Sequence, residues 1–354
     1  MEATAQLSQV FALPLYLDLS ALWFALIGIL FVGYAVLDGF DLGAGTLHLL
    51  ARNDHDRRLI LNAIGPIWDG NEVWLVTGGG ALFAAFPLVY ASLFSGLYLP
   101  CMLLLIALIF RAVAIEFRSK EPWPWWRTTW DVSFCVSSTA VGFLLGVVLG
   151  NLAQGLPLDA QGNIRVGFFE LLQPYPVLVG LLTVALFAMH GANYLMLKLE
   201  GPLADQARGW AQKSIILFIL LYAMVTGYTL LYLPHLAAPF RQFPVLNVLP
   251  LAALFVIANI PRELSLQRPM LAFLSSCGAV VFLLLLFGVG MFPNLVYAAP
   301  PGPLNLTIYN ACSTPKTLSI MLLIALIGIP IVAAYTISIY YIFRGKVKLE
   351  PTSY

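Results

Sequence analysis

Four carboxylates in two apolar segments form two pairs with the same spacing. Asp38 and Asp41 lie in VGYAVLDGFDLGAG, and Asp69 and Glu72 lie in IGPIWDGNEVWLVTGGG. Residues three apart share one face of an α-helix, so each pair directs both acids to the same side. Asp41 lies about thirteen residues before the basic connection near residues 54–55, and Asp69 about fourteen after it. Two antiparallel helices would therefore bring both pairs to one depth.

Acidic side chains inside a membrane segment need a physical justification. Each one costs on the order of 2.5–3.5 kcal/mol near the bilayer centre, so four would cost roughly 10–14 kcal/mol without partners. They must be protonated, paired, or exposed to an internal wet cavity. A series of acids that opens towards one aqueous face is typical of a proton relay. The spacing therefore favours a proton path through Asp38, Asp41, Asp69 and Glu72.

A structural role for the same acids is the alternative. They could be hydrogen-bonded to backbone or paired with Arg111, which lies in the apolar stretch LIFRAVAIEF. Arg111 could instead extend its charge to the cytoplasmic interface. Asp131 and Glu116 lie nearer the ends of apolar segments, where we expect solvated or ion-paired roles.

Composition sets the class of protein. The 354 residues are 60% hydrophobic and 10% charged, with a mean hydropathy of +0.89, which indicates a polytopic membrane protein. A net charge of +1 without basic blocks gives no indication of a nucleic-acid partner. The first 20 residues lack the features of a cleaved secretory signal, so we expect the first apolar run to remain as a span.

Apolar runs long enough to cross a bilayer define the expected fold. A hydrocarbon core of roughly 30 Å requires about 20 residues of helix. Nine such runs lie near residues 20–48, 59–86, 88–115, 129–151, 175–197, 212–233, 245–260, 270–292 and 317–343. The prediction is an all-α polytopic membrane protein, a single integral membrane domain over residues 1–354. Its nine transmembrane helices would pack as two four-helix bundles plus one peripheral helix.

Basic residues predict the orientation of these spans. They cluster in alternate connections and at the C-terminal end, namely at Arg52, Arg57, Arg58, Arg118, Lys120, Arg127, Lys198, Arg208, Lys213, Arg262, Arg268, Arg344, Lys346 and Lys348. Because cytoplasmic loops carry the excess of Lys and Arg, we expect a periplasmic N-terminus and a cytoplasmic C-terminus.

Histidines are too few and too scattered for a haem site built by this chain alone. A membrane haem needs axial His or Met ligands on facing helices. Of His48, His55, His190 and His235, only His190 lies deep in an apolar run, and none of the others matches its depth. A lone buried histidine is more typical of a packing residue that is hydrogen-bonded to its surroundings. We predict no metal ligands here.

Seven stretches resemble one protein family, subunit II of the cytochrome bd-type quinol oxidases, including the cyanide-insensitive branch. They are DGFDLGAG (38–45), GPIWDGNEVWLVTGGGALFAAFP (65–87), YASLFSGLYLP (90–100), FRAVAIEFRSK (110–120), GNLAQG (150–155), HGANYLMLK (190–198) and LTIYNACSTPKTL (306–318). They extend along most of the chain, and the segment WDGNEVW is the most specific.

The resemblance implies a bacterial inner-membrane heterodimer with subunit I, which reduces O2 to water by four electrons from quinol. It places haem b and haem d mainly in subunit I, and it brings Trp68 and Asp69 near those haems. It carries a cytoplasmic proton pathway over onto Asp38, Asp41 and Asp69. Glu72 joins the set through its spacing alone, because some members have a neutral amide there. The family also includes members with a structural quinone in this subunit, and with small single-span accessory subunits.

Two other functions remain open from the sequence. A proton-coupled secondary transporter would also use acid pairs beside glycine-rich helices. A purely structural assembly subunit would need no proton path. A second membrane subunit with haem absorption would distinguish an oxidase from a transporter.

Overall fold

The computed structural model describes residues 18–299 and 304–349, and nearly all of its regular structure is helical. The first 17 residues, including most of the stretch expected to lack a cleaved signal, lie outside the described part. The α-helices are α1 (Leu19–Leu47), α2 (Asp54–Ile64), α3 (Trp68–Ala85), α4 (Pro87–Gly96), α5 (Tyr98–Phe117), α6 (Pro124–Gln154), α7 (Pro174–Lys198), α8 (Gly201–Tyr232), α9 (Pro234–Gln242), α10 (Val248–Ser265), α11 (Pro269–Met291) and α12 (Pro315–Ile342). Two short antiparallel strands, β1 (Asn294–Val296) and β2 (Leu306–Thr307), pair in the last connection.

The number of spans agrees with the sequence prediction. Within the described residues, eight helical segments are long and apolar enough to cross a membrane. The pair α3 and α4, bent by 120°, brings the number to nine when it is taken as one broken span.

The spans pack as two groups of four and one peripheral helix. In the first group α1 packs against α3 and α6, and α5 packs against α6. In the second group α7 packs against α8 and α11, and α10 packs against α11. Contacts of α7 with α1 and α6 join the groups, whereas α12 touches α1 and α3 only lightly. Among the described residues of α12 only Leu318 is buried, and side chains such as Leu323, Ile327 and Ile331 are 60–65% exposed.

Two predicted spans are each divided into two helices. The run 59–86 is divided into α2 and α3, and the run 88–115 into α4 and α5. Pro66 follows the C-cap of α2 at Gly65, and Pro87 opens α4 at the expected boundary between the two runs. The second run is divided at Leu97, which ends α4 and precedes α5. Proline disfavours helical backbone in the residue before it and has no N–H for the preceding turn. Hydrophobicity alone does not report these breaks.

Glycine residues allow the backbones of α1 and α7 to come into direct contact where the two helices cross. A Cβ added to Gly43 would lie 1.8 Å from the carbonyl oxygen of Phe187, and one added to Gly191 would lie 2.5 Å from the backbone nitrogen of Ala44. Small residues at such crossings allow close van der Waals packing in a membrane. The crossing fixes the segment Asp38–Gly45 of α1, which is entirely buried.

Candidate functional site

Asp38 forms a buried ion pair with Arg111. The guanidinium of Arg111 on α5 contacts the two oxygens of Asp38, with Nη2 to Oδ1 at 2.5 Å and Nη1 to Oδ2 at 3.1 Å. Both side chains are fully buried. Nη1 of Arg111 also reaches Oε2 of Glu72 at 3.4 Å, and Glu72 keeps 20% of its side chain exposed. Arg111 therefore links α1 to α3 and neutralises Asp38.

Asp41 has a different environment from Asp38. Its Oδ2 accepts a hydrogen bond of 2.7 Å from Nδ2 of Asn71, which also donates to the carbonyl oxygen of Leu37 at 3.1 Å. Oδ1 of Asp41 is buried and has no hydrogen-bond partner among the described residues. The amide oxygen of Asn71, Oδ1, accepts a hydrogen bond of 3.0 Å from the hydroxyl of Tyr340. Asp41 thus has a neutral donor on one oxygen and a free second oxygen.

Asp69 does not join this buried group. It lies in the first turn of α3 and is exposed, while its neighbour Trp68 is buried with 8% of its surface accessible. At 3.6 residues per turn, Asn71 points about 200° away from Asp69 around the helix axis. Asn71 therefore faces the interior and Asp69 faces outwards. An acid in the first turn also interacts favourably with the helix dipole, which is a structural role for Asp69.

The predicted match in depth is confirmed to within one helical turn. Arg111 brings Asp38 and Glu72 together, and Asn71 holds Asp41. Asp41 lies nearer one end of α1 than its middle, six residues, or about 9 Å, from the last residue of the helix. A position near one end lowers the insertion cost that the sequence argument assigned to a central position.

A second ionic cluster closes the same end of the first bundle. Asp131 on α6 pairs with His48 at 2.6 Å, with Arg118 at 2.5 Å and with Arg57 at 3.0 Å. Arg118 continues to Asp54 at 2.8 Å. The ion-paired role expected for Asp131 is confirmed, although its side chain is almost completely buried, with 1% exposed. This cluster gathers several of the basic residues that the orientation argument used.

Sequence similarity identifies the family to which this arrangement belongs. The family described as cytochrome bd terminal oxidase subunit II matches residues 19–343. The chain belongs to this family.

Relatives of this oxidase subunit align over nearly its whole length. It is 34% identical over 368 residues to cytochrome bd-I ubiquinol oxidase subunit 2 of Escherichia coli (strain K12), covering 95% of this chain and 97% of that protein. It is 34% identical over 345 residues to cytochrome bd ubiquinol oxidase subunit 2 of Bacillus subtilis (strain 168), covering 95% and 99%. A probable cytochrome oxidase subunit 2 of Haemophilus influenzae is 32% identical over 363 residues, covering 94% and 96%.

The fold of the chain is also similar to that of a solved bd oxidase chain. A chain of the bd oxidase from Geobacillus thermodenitrificans superposes with a TM-score of 0.78 at 17% identity, covering 92% of this chain and 99% of that one. The bd oxidase subunit is therefore a multi-pass protein of the bacterial inner membrane. The family match does not favour the proton-coupled transporter.

Three of the described histidines, His48, His190 and His235, are hydrogen-bonded to protein groups. His190 bonds through Nδ1 to the hydroxyl of Ser276 at 2.7 Å and through Nε2 to the carbonyl oxygen of Val36 at 3.0 Å. His235 bonds to the carbonyl oxygen of Ala153 at 2.8 Å, and the ring of His48 is held by Asp131. His190 is thus a packing residue with both nitrogens satisfied, as its isolation in the sequence indicated. With both ring nitrogens occupied, His190 does not fit axial ligation of a haem.

Sequence reasoning missed two residues of the site. Asn71 is a polar amide between Asp69 and Glu72 in an apolar run. Its polarity there could have indicated a buried hydrogen-bonding role, but only the neighbouring acids were considered. Tyr340 had no such signal, because aromatic residues are ordinary near the end of a span. Its contact with Asn71 joins residues 269 positions apart in the chain.

Proposed function

We propose that this chain is the second subunit of a respiratory quinol oxidase and supplies protons from the cytoplasm to O2 reduction in its partner, subunit I. Subunit I would hold haem b and haem d, take electrons from quinol and carry out the four-electron reduction of O2 to water. The chain alone would not be catalytic. Family membership supports the oxidase, and the buried acids of α1 and α3 support the proton path.

The contacts support different roles for the individual acids. Asp38 is held as a fixed anion, because two hydrogen bonds from Arg111 favour its charged form. Asp41 is the proton carrier, because the neutral Asn71 is its only side-chain partner among the described residues, and none of them bonds to its Oδ1. Glu72 is partly exposed at 20% and connects the buried group to the surface of α3.

Asp69 and Trp68 would lie at the boundary with subunit I, near its haems. Asp69 is exposed and close enough to Glu72 for the two carboxylates to interact electrostatically. Exposed apolar side chains on the same helix, Val73, Val76 and Phe83, provide a surface for a hydrophobic partner. A proton would pass from Asp41 and Glu72 towards Asp69 and then into the partner.

The distribution of basic residues supports one orientation of the chain in the membrane. The ends of α1, α5 and α7 that carry basic residues, together with α2 and the start of α6, would face the cytoplasm. The N-terminus would then be periplasmic and the C-terminus cytoplasmic, with residues 1–354 forming one integral membrane domain.

A structural quinone, small single-span accessory subunits and the surrounding lipid bilayer are further expectations of the family resemblance, and nucleic acid is not among the partners.

Turnover of purified variant complexes tests this proposal. Asp41→Asn should lower quinol-dependent O2 consumption by about 10²-fold, the loss expected when a positioned proton-transfer group is removed, while the haem spectrum stays intact. Asp69→Asn should give a smaller loss. Asp205→Asn is the matched control, because the side chain of Asp205 is 74% exposed and pairs with Arg208 on the surface. Full turnover in Asp41→Asn would show that the acids are structural, and lost haem absorption would show that they serve assembly.

A further inference from the structure

A hydrogen-bonded chain connects the peripheral helix α12 to the proposed proton carrier. The hydroxyl of Tyr340 donates to Oδ1 of Asn71 at 3.0 Å, and Nδ2 of Asn71 donates to Oδ2 of Asp41 at 2.7 Å. Tyr340 is one of the few residues through which α12 reaches the buried interior. Neighbouring side chains such as Tyr341, 62% exposed, point outwards.

The chemistry of the Asn71 amide determines which group donates in each hydrogen bond from Tyr340 to Asp41. An amide oxygen only accepts hydrogen bonds, so Tyr340 must donate to Asn71 and the NH2 group of Asn71 must face Asp41. A flipped amide would place its oxygen against the carboxylate of Asp41 and the carbonyl of Leu37, both of which are acceptors. Because Oδ2 of Asp41 accepts from Asn71, a proton on Asp41 must reside on Oδ1, the oxygen without a partner among the described residues.

The end of α12 is fixed just beyond Tyr340. Nζ of Lys346 donates to the carbonyl oxygens of Leu199 at 2.7 Å and Met196 at 3.2 Å. Nζ of Lys198 donates to the carbonyl oxygen of Phe343 at 2.5 Å, and the backbone nitrogen of Val347 donates to the carbonyl of Lys198 at 2.9 Å. These bonds tie α12 to α7 where its apolar packing is weak, and they hold the Tyr340 hydroxyl at Asn71.

A small cavity lies between α3 and α12 beside Asn71 and Tyr340. Its volume is about 20 Å³, and Gly70, Asn71, Thr336 and Tyr340 are among its lining residues. A polar cavity of that size is large enough for about one water molecule. Asn71, which donates to Asp41, and Tyr340 therefore both border a water-sized space.

We propose that Tyr340 is a positioning residue of the proton path: by orienting Asn71, it keeps Oδ1 of Asp41 as the single oxygen that takes up and releases the proton. This inference rests on the proposed function of Asp41. It gives the peripheral helix a part in proton transfer although α12 carries no acid of the buried group.

Tyr340→Phe removes one hydroxyl and keeps the ring, and Tyr341→Phe makes the same change at an exposed neighbour. Each variant is purified as the complex with its partner subunit and assayed with a short-chain ubiquinol. We expect Tyr340→Phe to lower turnover about two- to tenfold, which is the range for loss of one hydrogen bond. The pH profile of turnover and the infrared C=O band of protonated Asp41 should change with it. Tyr341→Phe should match the unmodified complex.

A double-mutant cycle with Asn71→Leu separates positioning from a packing effect. If Tyr340 acts through Asn71, Tyr340→Phe should have no further effect in the Asn71→Leu background. Additive losses, or a Tyr340→Phe complex with the turnover and pH profile of Tyr341→Phe, would overturn the inference. Asp41→Asn distinguishes the two proposals, because full activity in that variant refutes the proton path itself. Loss in Asp41→Asn with an unaffected Tyr340→Phe refutes only the role of Tyr340.

Discussion

Replacing Arg111 with methionine tests the energetics of the buried cluster. Arg111 and Asp38 are both fully buried, at 0% exposure, and share two hydrogen bonds of 2.5 Å and 3.1 Å. Methionine preserves much of the length of the side chain and removes its charge. The substitution leaves the carboxylate of Asp38 without its cation in a site closed to water.

The expected penalty is large because an uncompensated charge remains. Breaking a buried ion pair by removing one partner costs about 3–5 kcal/mol. Replacing both charges is often neutral, so the double variant Arg111→Met/Asp38→Asn should recover most of that loss. The coupling energy between the two sites should therefore reach about 2 kcal/mol or more. Glu72→Gln serves as comparison, with an expected loss of about 1 kcal/mol or less, because its contact with Arg111 is longer, at 3.4 Å, and partly exposed.

Heat inactivation of the purified complex measures these differences. Unfolding of a large membrane complex is irreversible, so the rate of loss of haem absorption on heating is the appropriate quantity. A change of about 3 kcal/mol in the barrier to unfolding corresponds to roughly a 150-fold change in rate. Equal rates in Arg111→Met and in the double variant, both near that of the unmodified complex, would refute the assignment of Asp38 as a fixed, charge-paired anion.

Three further predictions concern other parts of the molecule. Asp131→Asn removes the acid that His48 and Arg118 share, and should destabilise the complex by about 3 kcal/mol in the same heating assay. Gly191→Ala forces a Cβ to within 2.5 Å of backbone on α1 and should cost about 1–3 kcal/mol, with lower yield in membranes. Gly209→Ala, inside α8 with nothing within 4 Å, should cause no loss of stability. In the α6–α7 connection, a backbone hydrogen bond from Asn163 lowers the pKa of Asp159, so its loop is stabilised above the ordinary carboxyl pKa and loosens as the pH falls below about 4. Limited proteolysis of that loop should accelerate on acidification, and the same rate at neutral and acidic pH would contradict this.

Much of the fold was predictable because lipid imposes simple rules. Nine apolar runs agree with the eight or nine candidate spans of the described residues. The boundary at Pro87 was predicted, but the breaks at Pro66 and between Gly96 and Tyr98 were missed, because backbone geometry, and not hydrophobicity, interrupts those helices. The short helix α9 (Pro234–Gln242) was also unforeseen, since it follows α8 directly in a region with weak apolar periodicity.

The site was predictable in its members but not in their roles. Spacing along the chain places Asp69 and Glu72 near one another, yet only the rotation of α3 decides that Asp69 faces outwards and Asn71 inwards. Arg111 entered the sequence analysis as a possible counter-ion, and the structure pairs it with Asp38 and Glu72. That contact depends on how α5 sits against α1 and α3, which no local pattern encodes.

The sequence by itself determined that this protein crosses the bilayer many times, that it keeps four acids in two of those segments, and which family it resembles. These properties follow from transfer free energies and from residue identity, both of which are local. The tertiary structure alone decided that Asp38 is neutralised by Arg111, that Asp41 retains a free oxygen, and that Tyr340 reaches Asn71 from the last helix. The physical reason is that hydrogen bonds act only over about 3 Å, so helix packing, and not sequence distance, determines which groups meet.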